Sequence, residues 1–199
     1  MKTLGIFLFK NMEVLDFAGP FEVFSVASQI KEYQDYSVIT FSEDGFKISA
    51  VNGLSVNPEF SIDNLPELDF LVIPGGDGTK QVVENQHVIK KLKDLIDLSK
   101  WTMTVCSGSR IPAKLGLLDG KPFCTHHLVY ESISLISPTA ISCPQKRFVQ
   151  SDERLYTAAG ISAGIDLSFF LLEATFGKKL AEETAKYMEY TNYPLPLPV

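Results

Sequence analysis

Histidine is scarce in these 199 residues, with three, and cysteine is no commoner, with Cys106, Cys124 and Cys143. Three widely spaced thiols make no disulfide framework, so reduced cysteines and a cytoplasmic setting are expected. No Cys-x-x-Cys pair occurs and the only adjacent histidines are His126 and His127, which leaves a structural zinc site without its ligands. Nothing in the sequence prompts a catalytic metal either. Long apolar runs are missing too: Leu4 to Phe9 is too short for a secretory core with a cleavage site or for a membrane span, so no membrane partner is expected. Basic residues are outnumbered, 18 Lys and Arg against 24 Asp and Glu, for a net charge of −6 and a pI near 5.1. That balance argues against a broad basic surface for nucleic acid or anionic lipid and favours a small-molecule partner. Glycine signatures for phosphate are also absent, since Gly78-Thr79-Lys80 reverses the order of a P-loop and no Gly-x-Gly-x-x-Gly is present.

What is present is an apolar share of 45%, ordinary for a chain with a real core, in a length suited to one domain. Apolar runs ending in Gly or Pro turns are followed by helical periodicity: Leu4 to Phe9 then Phe21 to Ile30; Tyr36 to Phe41; Phe70 to Ile73 then Val82 to Leu98. The alternation reads β-α-β. Hydrophobicity is continuous in Phe70-Leu71-Val72-Ile73 and Thr102-Met103-Thr104-Val105, which predicts strands of a parallel sheet with helices on both faces. Phe46 to Asn57, centred on Asn52-Gly53, and Arg147 to Thr157, around Ser151-Asp152-Glu153, read as antiparallel hairpins at the edge. Helices are expected from about Ser162 to Phe176, stopped by Gly177, and from Leu180 to Tyr190. With no repeat, linker or low-complexity run, residues 1–192 read as a single doubly wound α/β domain. Residues 193–199, with Pro194, Pro196 and Pro198 in alternation, read as an extended, polyproline-like tail.

Val105-Cys106-Ser107-Gly108 runs from a buried strand into a helix start, half of a nucleophile elbow, with Thr104 where the hydrolase pattern has its first Gly. A thiol there meets unpaired N–H groups and the positive end of a helix dipole, which lower its pKa. Position alone leaves open whether Cys106 is that tuned nucleophile or an inert core thiol. Ile73-Pro74-Gly75-Gly76-Asp77-Gly78 leaves a buried strand where ligands bind in open α/β sheets, and the N–H groups of Gly76 and Ser107 make a natural oxyanion pair. A plain Gly-rich turn is the alternative. Asp16, in the loop after the first strand with Pro20 in the first turn of the next helix, reads as a general acid/base for the thiol or as a turn residue; Glu22 reads as a helix-start charge. His126 reads as a polariser of Cys106 or a structural histidine, and His127 and His87 as structural. Arg110 reads as a partner for a thiolate or an anion, or as a solvated helix charge.

The runs Asp16 to Phe24, Ile73 to Gly76, Val105 to Gly108, Gly116 to Gly120, Thr125-His126 and Ala158 to Asp166 together resemble the DJ-1/PfpI superfamily over nearly the whole chain, and within it the isonitrile hydratase branch. The resemblance implies a flavodoxin-like sandwich, usually a homodimer, with Cys106 as the elbow thiol, Asp16 as its hydrogen-bonded acid and no cofactor. It implies hydration of an isonitrile to an N-substituted formamide, the thiolate attacking the isocyano carbon while the aspartate handles the proton. A redox or small-ligand sensor acting through an oxidisable Cys106 is the alternative expectation. The branch also includes regulators with a C-terminal helix-turn-helix domain; this chain ends in the Pro-rich tail, so direct DNA binding is not expected. Ser107, Arg110, Cys124 and His127 stand where the hydratase-like pattern has other residues, and the last three bear on the substrate.

Overall fold

The computed structural model describes residues 1–193. In chain order the strands are β1 (Lys2–Phe7), β2 (Tyr36–Ser42), β3 (Ile48–Ser49), β4 (Ser55–Val56), β5 (Phe60–Ser61), β6 (Phe70–Ile73), β7 (Trp101–Val105), β8 (Pro122–Phe123), β9 (Ile141–Ser142), β10 (Phe148–Gln150) and β11 (Leu155–Ala158). The helices are α1 (Val14–Ile30), α2 (Thr79–Val82), α3 (Gln86–Leu98), α4 (Arg110–Lys114), α5 (Tyr130–Ile136), α6 (Ala163–Phe176) and α7 (Lys178–Tyr187). Seven strands form one sheet in the order β10-β11-β7-β6-β1-β2-β5. Every pairing in it is parallel except β10 with β11.

Continuous apolar sequence produced the buried strands expected of it. All four residues of β6 and all five of β7 are buried, because helices cover both faces of the sheet. One group, α1, α6 and α7, packs mutually, and α2, α4 and α5 form another. In α3, Val88, Ile89, Leu92 and Ile96 turn one face inward. Asn85 opens that helix by accepting the Val88 N–H and so divides the single helix expected over 82–98 into α2 and α3. Helix α6 is buried around most of its circumference, from Leu167 to Leu172, and ends at Gly177 with φ +94°, a conformation open to glycine.

Both hairpins exist, with different fates. β3 and β4 pair antiparallel across Asn52-Gly53, outside the large sheet. In the second, β10 is an edge strand but β11 lies inside the sheet, parallel to β7, because Leu155 and Ala158 are apolar enough to be covered there. A further small pair, β8 with β9, is parallel. Of the expected tail, Tyr193 packs tilted against Phe169, 5.5 Å between ring centroids; residues 194–199 lie outside those described. Among the described residues no helix is long and apolar enough to cross a membrane.

The chain reverses its direction of sheet growth between β1 and β6. After β1 it adds β2 on one side, then returns to lay β6 on the other. In open α/β sheets the crevice beyond the strands' carboxyl ends at such a switch point is where ligands bind.

Candidate active site

Four adjacent strands, β1, β6, β7 and β11, each hand one component to that crevice. β7 ends level with β11, Val105 opposite Ala158, and the Cys106 N–H continues the ladder to the Ala159 carbonyl at 3.1 Å. The chain then turns sharply, with Cys106 at φ +56°, a left-handed backbone that costs an L-residue about 1–2 kcal/mol. Hydroxyl groups hold it there: Thr125 Oγ1 donates to the Cys106 carbonyl at 2.8 Å, and Ser109 Oγ to Thr125 Oγ1 at 2.8 Å. Gly108 lets the turn press on the exit of β6, since a Cβ on it would lie 2.5 Å from the Ile73 carbonyl oxygen.

Asp16 reaches the thiol from a different element than expected. The sequence places it in a loop with Pro20 opening the helix, whereas α1 starts at Val14 and carries Asp16 in its first turn, with Pro20 inside the helix. The start is fixed from outside, by the Glu13 N–H donating to the Gly75 carbonyl at 2.9 Å. Pro20 has no N–H to return to the Asp16 carbonyl, a loss that the packed helix absorbs. The Asp16 carboxyl is wholly buried; Oδ2 accepts the Gly75 N–H at 2.9 Å. Oδ1 has no partner within hydrogen-bonding geometry among the described residues; the side chains that act on this carboxyl are those of Glu13, through its charge, and Cys106.

Burial pushes the Asp16 pKa up to about 7, with the Gly75 N–H opposing and the Glu13 charge adding to the rise. Burial, then the Asp16 charge, pushes the Cys106 thiol up to about 12. The expectation of a thiol lowered by a helix dipole is therefore corrected: a four-residue 3-10 turn supplies too little field against desolvation and a neighbouring carboxylate. In the resting pair, burial favours the neutral form of both the thiol and the carboxyl. The thiol proton is nevertheless exchangeable. Once Asp16 accepts it, the repelling charge is gone, and the N–H groups of Ser107 and Ile161, which face the sulfur, favour the thiolate.

The oxyanion pair needs a second correction. The Gly76 N–H donates to Ser107 Oγ at 2.8 Å, and that hydroxyl donates to the Gly76 carbonyl at 3.0 Å, so Gly76 locks the loop to the elbow instead of pointing into the crevice. Gly76 is needed there: its φ is +117°, and a Cβ would lie 2.5 Å from backbone atoms of Asn11 and Glu13. The N–H groups that face the sulfur are those of Ser107 and of Ile161, which sits after β11 at φ +46°. Ile161 was missed because a backbone donor leaves no side-chain signature; the run Gly160 to Gly164 was the available signal.

Cys106, Ser107, His126, Arg110, Glu13 and Ile161 line one open cleft of 490 Å³. His126 enters it but makes no hydrogen bond to Cys106 among the described residues. Its Nδ1 accepts the Leu128 N–H at 3.3 Å, so Nε2 carries the ring proton, and burial lowers its pKa. The His127 ring lies tilted against it, 4.2 Å between centroids, and His87 pairs with Asp63 at 3.1 Å. Cys124 is buried, with Sγ donating to the Cys143 carbonyl at 3.3 Å and its pKa pushed up to about 12 by burial. Arg110 is only 8% exposed, so it is no solvated helix charge. Among the described residues no cluster of three or more His, Cys, Asp or Glu is placed to hold a metal.

The DJ-1/PfpI family profile matches residues 2–174. Isonitrile hydratase from Pseudomonas putida is 28% identical over 96% of this chain and 79% of its own length. The HTH-type transcriptional regulator GbdR of Pseudomonas aeruginosa is 26% identical over 95% of this chain but 51% of its own length. Among solved structures, a ThiJ/PfpI family protein from Pseudomonas syringae superposes with a TM-score of 0.85 at 24% identity, covering 99% of this chain and 76% of that one.

Proposed function

The chain belongs to the DJ-1/PfpI family, and from that premise we propose that it is a cysteine-dependent enzyme adding water to a small isonitrile. Cys106 is the nucleophile and Asp16 the proton carrier. The observation that carries the reading is the buried Asp16 Oδ1, which has no hydrogen-bond partner among the described residues and belongs to a carboxyl coupled to the thiol. An inert core thiol needs no such neighbour, and burying a carboxylate without a full set of donors is costly. The similarity to isonitrile hydratase supports the choice of substrate over the other small C≡N or carbonyl compounds that the same pair could handle.

In this reading Asp16 takes the thiol proton as Cys106 Sγ attacks the terminal isocyano carbon, and returns it to that carbon to give a thioimidate. The Ser107 and Ile161 N–H groups steady the sulfur. Water then adds to the same carbon, nitrogen gains a proton, and the C–S bond breaks to release an N-substituted formamide and the free thiol. The base is matched to the task, since a carboxyl near pH 7 is half ionised where it must act. A sensor acting through oxidation of Cys106 draws less support, because the thiol is only 7% exposed and oxidation follows exposure.

Turnover of a panel of isonitriles, amides and α-oxoaldehydes tests the proposal. Hydration of at least one isonitrile is expected, with Cys106→Ser lowering kcat by about 1000-fold or more and Asp16→Asn by about 100- to 10,000-fold. Equal turnover by all three proteins would overturn it. A homodimer is the assembly proposed with this reading; Leu15 and Phe21, large apolar side chains left exposed on α1, are surface that such a contact would cover, and sedimentation velocity measures it.

A further inference from the structure

We propose that Arg110 selects substrates that carry a carboxylate, its guanidinium binding that group within the cleft while Cys106 attacks a carbon close to it. The inference rests on Cys106 being the attacking group and names the substrate class for that site.

Arg110 sits on the first residue of α4, four positions after the nucleophile, and its side chain lines the 490 Å³ cleft. It is 8% exposed. Its protein partners are two neutral hydroxyls, Thr79 Oγ1 at 3.0 Å from one terminal nitrogen and Ser132 Oγ at 3.2 Å from the other. Among the described residues no carboxylate lies within 4.0 Å of it, and its remaining N–H groups have no protein acceptor. A buried guanidinium is ordinarily paired with an anion, because desolvating it alone is costly. Thr79 and Ser132 orient the planar group without neutralising it, the state in which a planar, two-oxygen ligand is best received.

Neighbouring acids do not fill the role. Asp77 attracts Arg110 but is bonded to Lys80 at 2.8 Å, with both side chains largely in solvent. Glu13 lines the same cleft, yet among the described residues it makes no ion pair with Arg110. Arg110 and Cys106 line that cleft together. Bound on Arg110, a small acid such as an α-isocyano carboxylate presents its reactive carbon toward the sulfur.

Alkylation reads the anion site without requiring turnover. Iodoacetate and iodoacetamide have nearly the same shape, and each transfers its CH2 group to sulfur as iodide leaves and the thiol proton passes to base. Rates at Cys106, followed by peptide mass spectrometry with partly exposed Cys143 as internal reference, are expected to show an iodoacetate-to-iodoacetamide ratio about 10- to 100-fold above that at Cys143. Arg110→Gln should bring the two ratios together, with Arg110→Lys between them. Equal ratios at both thiols of the unaltered protein would overturn the inference, with no variant needed. Isocyanoacetate and its methyl ester provide the second arm: the acid should have the higher kcat/KM, through KM, and Arg110→Gln should lose the preference. If no isonitrile is hydrated while the alkylation preference stands, the hydratase reading falls and the anion site survives. If both isonitriles are hydrated equally and the alkylation ratios match, the anion site falls alone.

Discussion

Asp16 carries two consequences at the scale of one residue. Its folded pKa, about 7, is raised above the unfolded carboxylate value of 3.8, so the folded state holds a proton that the unfolded chain releases. The contribution of Asp16 to stability is therefore fully present below about pH 4, is lost as pH rises through the interval to about 7, and is level beyond it; the sum for this one group is on the order of 4 kcal/mol. Asp16→Asn removes the titrating group, and urea denaturation between pH 4 and 8 should show its slope against pH flattened and its stability above that of the parent at pH 8. The same ionisation governs activity with the opposite sign, because the base must be unprotonated: kcat/KM should rise about tenfold per pH unit below pH 7 and level off above it. Cys106 gives a third test. Its φ of +56° suits glycine, so Cys106→Gly should be about 1 kcal/mol more stable than Cys106→Ala by chemical denaturation. Residue identities were largely readable in the sequence: Cys106 and Asp16 were named from it and do meet. Their protonation was not readable, since desolvation depends on what covers a group and not on its neighbours in the chain.

Among elements, the elbow between β7 and α4 is held by groups from other parts of the fold. Adding a methyl group at Gly108 would set it 2.5 Å from the Ile73 carbonyl oxygen and 2.8 Å from that of Pro74, all backbone, so nothing flexible can yield. Gly108→Ala should cost about 1–3 kcal/mol of stability, and, by moving Cys106 away from Asp16, lower the rate of Cys106 alkylation as well; thermal unfolding and labelling measure the two. The elements themselves were legible wherever one period dominated. Phe70 to Ile73 is a strand to the residue, and Gly177 stops α6 as its sequence suggests. The start of α1 was misread, because Pro20 usually marks a first turn, and here a backbone bond from Glu13 to Gly75 starts the helix six residues earlier. The Gly76 N–H was misread for a like reason: Ser107 Oγ, distant in sequence, claims it.

For the whole molecule, the main apolar cluster runs from Leu4 in β1 to Ala185 in α7, so the sheet and its helices should unfold together. Leu71→Ala at the centre of β6, 0% exposed, is expected to cost about 2–5 kcal/mol, whereas Leu135→Ala on α5, 79% exposed, should change little; both follow from denaturation midpoints. The sequence by itself determined the α/β class and the parallel sheet, because continuous apolar strands and turn residues are local signals; it singled out Cys106 and Asp16 as candidates, and the family resemblance is what paired them. Only the tertiary structure decided that β1, β6, β7 and β11 lie side by side, and with that adjacency came the buried Asp16 carboxyl, the Ile161 N–H at the sulfur and the desolvated Arg110. Desolvation and hydrogen-bond partnership are properties of juxtaposed segments, and no local pattern encodes them.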